Sequence, residues 1–264
     1  MNGKPTASKK RLDVFLVEKG WASSRTHAQE LIEAGQVFLN EGAQKKELKK
    51  ASLAVTEDAA VTVEAGPANR FVSRGGLKLE GALEHLQLSV QGLKVLDVGI
   101  STGGFTDCVL QKGAEFVLGV DVGHGQVHPQ LLKNPRLKVI EGINARNLSH
   151  ETFVQQSVPA EKFDLIVMDV SFISISLIIP ELSSFLKTEG RLLSLVKPQF
   201  EVGVDGLAKG GIVKDSGLFA DVEKKIRKVC EENSFHVLDY FSSPILGKDG
   251  NKEFFVYAQK KEKQ

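Results

Sequence analysis

The pattern of hydrophobic positions divides the chain near residue 70. Before that point, the segments RLDVFLVEKG and SSRTHAQELIEAG place apolar side chains three and four positions apart, and each ends at a glycine. This spacing predicts two short helices. The segments VFLN and AVTVEAG predict two short strands, with NEG as a turn after the first. We therefore expect a small helix–helix–strand unit with little core of its own.

After residue 75, short apolar runs alternate with amphipathic segments. The predicted strands are KVLDVGI, FVLGVDV, LKVIEGI, FDLIVMDVSF, RLLSLVKPQF, HVLDYFSS and KEFFVYAQK. The predicted helices are SRGGLKLEGALEHLQL, STGGFTDCVLQKG, ISLIIPELSSFLKTEG and LFADVEKKIRKVCEEN. Such alternation predicts an α/β fold with a doubly wound, mainly parallel sheet. Only SPILGKDGN separates the last two strands, which is too short for a helical crossover, so we expect them to form a hairpin with an antiparallel last strand.

The cluster GPANRFVSRGG joins the two parts and is rich in glycine, proline and asparagine. Such composition is typical of a linker between domains. The sequence therefore predicts a small N-terminal domain over residues 8–66, a linker over 67–74 and a larger domain over 75–260.

Composition narrows the class of protein but does not identify a partner. Hydrophobic residues make up 42% and charged residues 25% of the chain, as in soluble globular proteins, and the net charge of +1 gives no overall attraction for a polyanion. Cys108 and Cys230 fall in predicted helices without a C-x-x-C spacing, so we expect buried thiols and no metal site. The first residues lack a secretory pattern, and Asp169 interrupts the longest apolar run. We expect a cytoplasmic protein that does not span a membrane.

The N-terminal part resembles a known RNA-binding module. The residues that carry the resemblance are Arg11-Leu12-Asp13, Ser24-Arg25, Ala28, Ile32, Gly35, Val37, Asn40 and Gly42. They are similar to the S-four-like RNA-binding domain, which binds folded RNA mainly through phosphates and shape. The resemblance implies an RNA-binding role for Arg11, Arg25, Lys45 and Lys46. On charge alone, an ordinary solvated face is an equal interpretation.

The segment DVGISTGGF is the strongest candidate for a ligand site. Asp97 and Gly99 end the first predicted strand of the larger domain, and Gly103 and Gly104 open the following helix. Glycines let the backbone approach a ligand closely, but the spacing is not the G-x-G-x-x-G of dinucleotide sites. Asp121 ends the second strand, where a carboxylate can accept hydrogen bonds from both ribose hydroxyls of an adenosine. Enzymes that use NAD share this acid, and a tight turn without ligand is the structural alternative.

The antiparallel last strand and this loop together resemble the class I (Rossmann-like) methyltransferases with a seven-stranded sheet. By that resemblance the cofactor is S-adenosyl-L-methionine, and the residues near it are Asp97, Gly99, Ser101, Thr102, Gly103, Gly104, Phe105, Asp121, Val122, Asn144 and Asp169. The loop from Asp97 to Phe105 would support the methionine part, Asp121 the ribose, and Asn144 the adenine.

The residues after the fourth strand bear on the atom that is methylated. This position reads Asp169-Val170-Ser171-Phe172, whereas base-amino methyltransferases usually have N/D-P-P-Y/F. Carbon methylation of pyrimidines usually needs a cysteine nucleophile beside the fourth or fifth strand, and the two cysteines lie in other elements. Oxygen therefore remains as the acceptor. A ribose 2′-hydroxyl needs help to lose its proton. Lys197 ends the fifth strand beside Asp169 at the end of the fourth, and a lysine kept at an apolar strand end can serve as that base.

Lys78, Asp169, Lys197 and Glu253 together resemble the Lys-Asp-Lys-Glu tetrad of FtsJ-type ribose 2′-O-methyltransferases. The resemblance implies that Lys197 is the general base, that Asp169 and Lys78 tune it electrostatically, and that Glu253 orients it through hydrogen bonds. The alternative is a set of structural ion pairs at strand ends.

Motifs in one order over residues 10–258 resemble the TlyA family. Beyond the S-four-like domain they are RGGLKLEGAL, DVGISTGGFTDC, DVGHGQ, FDLIVMDVSFIS, LVKPQFEVG, KGGIVKD and SPILGKDGNKEF. The resemblance implies a 2′-O-methyltransferase that acts on cytidine in ribosomal RNA, with ribosomal RNA or ribosomal subunits as partners. Members are often labelled hemolysins, so a membrane-active protein is one alternative. An RNA-binding protein with an inactive methyltransferase domain and an NAD-dependent enzyme are two others.

Overall fold

The computed structural model describes residues 9–22, 25–42, 44–64, 70–247 and 250–261. The chain divides into two compact units, Met1–Arg74 and Gly75–Gln264. Parts of the sequence patterns fall outside the described residues, namely Ser24 of the S-four-like motif, residues 65–66 at the end of the predicted N-terminal domain, residues 67–69 of the predicted linker and residues 248–249 of the predicted hairpin loop.

Within its described residues, the N-terminal unit contains two helices and five short strands. In chain order they are β1 (Lys9–Arg11), α1 (Leu12–Glu18), α2 (Arg25–Glu33), β2 (Val37–Glu41), β3 (Gln44–Glu47), β4 (Ala54–Thr56) and β5 (Val61–Val63). β1 pairs with β4, while β2 lies between β3 and β5 in a separate antiparallel sheet. Both predicted helices and the strands β2 and β5 are present. The strands β1 and β3 escaped prediction because their sequences, KKR and QKKE, contain no apolar alternation.

This small unit has a core, so the expectation that it would have little core was wrong. The two helices and the strands bury a common set of apolar side chains: Leu12, Phe15, Leu16, Ala22, Ala28, Leu31, Ile32, Val37, Leu48, Val55 and Val61. Leu48 and Val55 come from segments in which no element was predicted. Val55 lies in β4, which is too short to show a period, and Leu48 follows directly after β3; these two side chains complete the core.

The C-terminal unit is an α/β domain. In chain order its elements are α3 (Gly75–His85), β6 (Lys94–Val98), α4 (Gly104–Gln111), β7 (Phe116–Asp121), β8 (Leu137–Glu141), α5 (Thr152–Gln155), β9 (Phe163–Met168), α6 (Ile179–Leu182), β10 (Leu186–Val196), α7 (Leu218–Glu232), β11 (Phe235–Ser242) and β12 (Phe254–Lys260). They form one seven-stranded sheet in the order β11-β12-β10-β9-β6-β7-β8. β12 runs antiparallel to both of its neighbours, and the pairings among β10, β9, β6, β7 and β8 are parallel. The predicted fold class, including the terminal hairpin, is confirmed.

The strand order reverses direction between β6 and β9. The chain builds outward from β6 through β7 to β8 on one side, and from β9 to β10 on the other. Val98 at the end of β6 is in register with Met168 at the end of β9. The connections after these two strands therefore lead to opposite sides of the sheet order, and open α/β sheets bind their ligands at the carboxyl edge of such a switch point.

The predicted helix ISLIIPELSSFLKTEG is the main error in this unit. Only α6 is α-helical there, with 3-10 turns at Ile175–Leu177 and Ser183–Phe185, and the final KTEG belongs to β10. Ile178, Ile179 and Leu182 are fully buried, and a continuous apolar run in a buried segment does not reveal its period. No helix in the described residues is long and apolar enough to cross a bilayer.

Candidate active site

A buried carboxylate marks the end of the central strand β6. Asp97 is fully buried, and its Oδ2 accepts a 2.6 Å hydrogen bond from Thr106 Oγ1 in α4. Burial raises the pKa of Asp97 to about 7, against the effect of the Thr106 hydrogen bond, and the charges of Asp169 and Asp121 add to the rise. The other oxygen, Oδ1, has no hydrogen-bond partner within the described chain. A buried acceptor of this kind is available to a ligand donor.

The loop after β6 closes tightly against the loop after β9. Gly99 has a φ of +84°, and a Cβ atom on it would lie 2.7 Å from the carbonyl oxygen of Asp169. Gly103, with a φ of +96°, precedes the first residue of α4. Both positions require glycine, the first for space as well as conformation. The glycine-rich segment thus brings backbone to the crevice without side chains in the way.

Asp121, at the end of β7, holds this loop in place. Its Oδ2 accepts a 2.8 Å hydrogen bond from the backbone N–H of Ser101, and its Oδ1 accepts another of 2.8 Å from Gly123. Ser101 has a φ of +47°, and its hydroxyl donates to Gln126 Oε1 at 3.3 Å. Each carboxylate oxygen retains a second lone pair, so a contact from Asp121 to ribose hydroxyls stays a prediction.

A cavity of about 590 Å³ opens at the carboxyl edge of the sheet. Six of the predicted cofactor residues line it: Gly99, Ser101, Asp121, Val122, Asn144 and Asp169. The other five do not: Asp97, Thr102, Gly103, Gly104 and Phe105. Those five lie where the chain passes from β6 into α4, and Phe105 is buried with its ring stacked 6.3 Å from that of Phe255. These five residues therefore support the wall of the cavity and do not form its surface.

Asn144 has a local structural partner. Its side-chain oxygen accepts a hydrogen bond from Arg146 N at 3.1 Å, which caps the 3-10 turn Ala145–His150. The amide group of Asn144 still lines the cavity, beside Ile143 and Ala145. This side of the cavity therefore combines the apolar residues Ile143 and Ala145 with the polar residues Asn144 and Arg146.

Lys197 and Asp169 meet at the ends of adjacent parallel strands. The Lys197 Nζ lies 2.6 Å from Asp169 Oδ1 as an ion pair, and its aligned hydrogen bond goes to Ser171 Oγ at 2.8 Å. Only 11% of the Lys197 side chain and 22% of the Asp169 side chain are exposed. Neighbouring parallel strands that end together bring these side chains into contact, as the sequence pattern predicted.

The other two members of the predicted tetrad form a second ion pair. Lys78 Nζ in α3 lies 2.5 Å from Glu253 Oε2, just before β12, and the two side chains are 7% and 3% exposed. A pair this buried is held by mutual charge because neither partner has water to compensate it. The structure thus joins each lysine of the tetrad to one acid.

Ser171 and Phe172 are among the residues of the site that were not identified from the sequence. Ser171 fixes the Lys197 amine, and Phe172 is 92% exposed at the cavity with a φ of +64°. The Phe172 ring lies 5.4 Å from that of Phe200, which follows Lys197 on the next loop. The sequence pattern could have pointed to both residues, because Ser171 and Phe172 occupy the positions where base-amino methyltransferases have a proline and an aromatic residue.

The predicted RNA-binding residues lie in the N-terminal unit in two groups. Arg11 and Arg25 share the buried carboxylate of Asp13, each at 3.0 Å. The Arg11 hydrogen bonds, supported by those of Arg25, hold the pKa of Asp13 well below its usual range despite burial. Lys45 and Lys46 lie on β3, where Lys45 pairs with Glu64 and Lys46 makes no ion pair with any described residue. The structure orients the two arginines and leaves Lys46 exposed.

Comparisons with known proteins cover both units. The model of FtsJ-like methyltransferases matches residues 71–260, and that of the S4 domain matches residues 10–55. The Mycobacterium tuberculosis protein named 16S/23S rRNA (cytidine-2′-O)-methyltransferase TlyA is 38% identical over 96% of this chain and 91% of its own.

Solved structures agree in fold. A hemolysin-labelled protein from Streptococcus thermophilus is 33% identical, with a TM-score of 0.74 over 97% of this chain and 90% of its own. An S-adenosylmethionine-dependent methyltransferase from Mesorhizobium loti, 13% identical, matches 69% of this chain and 98% of its own with a TM-score of 0.50, which shows the fold alone. The matches span the small unit and the α/β domain in the order found here. The chain therefore belongs to the TlyA family of FtsJ-like methyltransferases, with an S4 domain ahead of the methyltransferase domain.

Proposed function

We propose that this protein transfers a methyl group from S-adenosyl-L-methionine to the ribose 2′-hydroxyl of a cytidine in ribosomal RNA. The observation that carries the proposal is the contact of 2.6 Å between the Lys197 amine and Asp169, whose carboxylate lines the cavity at the switch point of the sheet. A mostly buried amine at the rim of a ligand cavity is positioned for proton transfer.

The cavity fits the proposed cofactor in size and charge. Its volume of about 590 Å³ is in the range that takes a nucleoside-sized ligand. Asp121 and Asp169 line the cavity beside the glycine loop, and Asp97 Oδ1, behind that loop, is a buried acceptor without a partner among the described residues. This acidic set complements a cofactor that carries a sulfonium and an ammonium group. When bound, the cofactor supplies a methyl group that is activated by its positive sulfur.

The chain's own part in the reaction is to receive the ribose proton. As the ribose oxygen takes the methyl group, whose bond to sulfur breaks, the O–H proton passes to the Nζ of Lys197, which must be a neutral amine at that moment. Asp169 and Ser171 fix the direction of the amine at 2.6 and 2.8 Å. The second pair, Lys78 and Glu253, contributes fixed charges from α3 and the start of β12. Rigid positioning of this sort accounts for a large part of a catalytic effect.

Two features support an RNA substrate. The N-terminal unit is an S4 domain, and its Arg11 and Arg25 side chains are about half exposed while anchored to Asp13. At the cavity, the exposed Phe172 ring offers an apolar face, and the preceding residue, Ser171, holds the amine that would take the proton. Aromatic side chains stack on nucleobases that are turned out of a helix. The assignment to cytidine in ribosomal RNA is taken from the TlyA relative.

The test offers the purified protein labelled S-adenosylmethionine together with separated ribosomal subunits. A ribose product would appear as label in dinucleotides that resist both alkali and nuclease, and mapping would locate it at cytidine. Label on a base, or no label on either subunit, would overturn the proposal. Leakage of liposomes caused by the detergent-free protein would instead favour a membrane-active function.

A further inference from the structure

A second polar cluster lies beside the candidate site and has no part in the reaction proposed above. The Glu201 side chain is 1% exposed, and its carboxylate accepts hydrogen bonds from Ser174 Oγ at 2.6 Å, from the backbone N–H of Ile175 at 2.8 Å and from Lys225 Nζ at 2.7 Å. Lys225 also donates to the Glu201 backbone oxygen at 3.2 Å. A buried charge with this many donors connects the elements that supply them.

The three elements that meet at Glu201 are the two catalytic loops and α7. Glu201 follows Lys197 by four residues, through the 3-10 turn Pro198–Phe200. Backbone hydrogen bonds of 2.9 Å, from Phe200 N to Lys197 O and from Glu201 N to Pro198 O, make that turn a rigid link. Ser174 follows Asp169 by five residues on the other loop. The cluster therefore joins the segment that carries Lys197 to the segment that carries Asp169.

The same two loops touch at two further points, both nearer the cavity. Lys197 contacts Asp169 and Ser171, and the rings of Phe172 and Phe200 lie 5.4 Å apart. Phe172 has a φ of +64°, an unfavourable conformation for an aromatic residue that persists only where its surroundings enforce it. Two residues later Ser174 is fixed to Glu201, and Ser174 also caps the turn Ile175–Leu177. The loop is thus held on both sides of its strained residue.

We infer that Glu201 is a positioning residue that aligns the loop of Asp169 with the loop of Lys197 and keeps Phe172 at the cavity. This inference rests on the proposed function. Lys225 compensates the buried charge from α7, and its side chain, 40% exposed, can be replaced without opening the core. The hydrogen bonds of the Glu201 carboxylate go to Ser174, Ile175 and Lys225, none of which lines the cavity, so we expect loop alignment to affect turnover more than cofactor affinity.

The test uses the full-length Glu201→Gln variant. The amide keeps the shape of the side chain but removes its charge and one acceptor. We expect amide hydrogen exchange to become at least about tenfold faster at Ile175 and Ser176, with β9 unchanged. We also expect kcat for ribose methylation to fall by about 10- to 100-fold, with the Kd for S-adenosylmethionine within about twofold, because misplacement of reacting groups acts on kcat. Glu223→Gln, on the helix α7 that carries Lys225, removes the charge of the half-buried partner of Arg227 and should change none of these.

A second variant covers the case in which Glu201→Gln folds poorly. Glu201→Gln combined with Lys225→Met also removes the ammonium that would be left without its partner, and the same exchange and kcat changes are expected. The inference is overturned if exchange at Ile175 is unchanged, or if it rises while kcat stays at the wild-type value. It is also overturned if kcat falls only in proportion to the unfolded fraction. A wild-type protein that methylates no ribose would refute the proposed function, while the exchange measurement would still judge the role of Glu201.

Discussion

Lys187 and Lys197 lie at opposite ends of β10, and the amine of each is 2.6 Å from an aspartate at the corresponding end of β9. Lys187 pairs with Asp164 and Lys197 with Asp169. The same two strands therefore carry two similar ion pairs, of which one adjoins the cavity at the carboxyl edge of the sheet. Charge pairing does not distinguish the two lysines, whereas their position in the α/β fold does.

This duplication gives a matched test of the general base. Lys197→Ala should reduce single-turnover methyl transfer to ribosomal subunits by about 10² to 10⁴, the range expected for loss of a general base. Lys187→Ala removes a lysine from an equivalent pair and should retain the wild-type rate. Lys197→Arg should be at least as slow as Lys197→Ala, because a guanidinium does not give up its proton and cannot accept another. Cofactor affinity, measured by calorimetry, should be similar in all variants. Turnover by Lys197→Ala at the wild-type rate would remove this residue from the mechanism.

The buried Asp97 predicts how stability depends on pH. Its pKa is raised from 3.8 to about 7 by burial, so between these values the folded protein binds a proton that the unfolded chain has released. Stability should therefore fall as pH rises through this window, by at most about 1.4 kcal/mol per unit, and level off above it. Urea unfolding from pH 4.5 to 8.5 measures this contribution as the difference between wild type and Asp97→Asn, in which it should be absent.

Thr106 provides the control for Asp97. Its hydrogen bond lowers the pKa of Asp97, so Thr106→Val should raise that pKa further and extend the falling part of the stability curve above pH 7. A curve for Asp97→Asn that parallels that of the wild type would show that another group titrates in this window.

Alanine substitutions at Gly99 and Gly92 distinguish the effect of a close contact with another loop from the effect of an unfavourable backbone conformation. Both have a positive φ, +84° and +74°, but a Cβ on Gly99 would lie 2.7 Å from Asp169 O, while one on Gly92 would have open space. Gly92→Ala should cost about 1 kcal/mol, from conformation alone. Gly99→Ala should cost more and should also weaken binding of S-adenosylmethionine, because the loop must move away from Asp169. Thermal melting and calorimetry measure the two effects, and equal losses for both variants would contradict the close approach.

The sheet and the outline of the site could be predicted from the sequence because both follow from short-range patterns. Continuous apolar runs mark buried parallel strands, and residues that end adjacent strands must meet, as Lys197 and Asp169 do. The pairing of Lys78 with Glu253 joins residues 175 positions apart, and no local pattern encodes it. The Glu201 cluster escaped prediction for the same reason. A single buried glutamate in a loop carries no period, and its partners come from two other elements.

A double-mutant cycle on Lys78 and Glu253 tests whether this second ion pair is structural as well as electrostatic. Either Lys78→Met or Glu253→Gln alone should destabilise the fold by about 3–5 kcal/mol, because each leaves a buried charge without its partner. The double variant should recover much of that loss in chemical denaturation. If the pair also supplies fixed charge to the reaction, the stable double variant will still be slow in methyl transfer. A stable double variant with wild-type kcat would restrict the pair to a structural role.

The anchored arginines of the N-terminal unit predict the salt dependence of RNA binding. Arg11 and Arg25 are held by Asp13 but are 49% and 59% exposed, so each can still meet a phosphate. Arg25→Ala should weaken binding to ribosomal RNA and reduce the slope of log K against log salt by about 1. Lys45→Ala should change that slope less, since Lys45 already pairs with Glu64.

Filter binding over a series of salt concentrations measures these slopes, and melting curves check the fold of each variant. Because Arg11 remains to pair with Asp13, Arg25→Ala keeps the carboxylate compensated, and the helices around it should stay folded. A slope that Arg25→Ala leaves unchanged would mean that this guanidinium serves Asp13 alone, and that RNA contacts lie elsewhere on the unit.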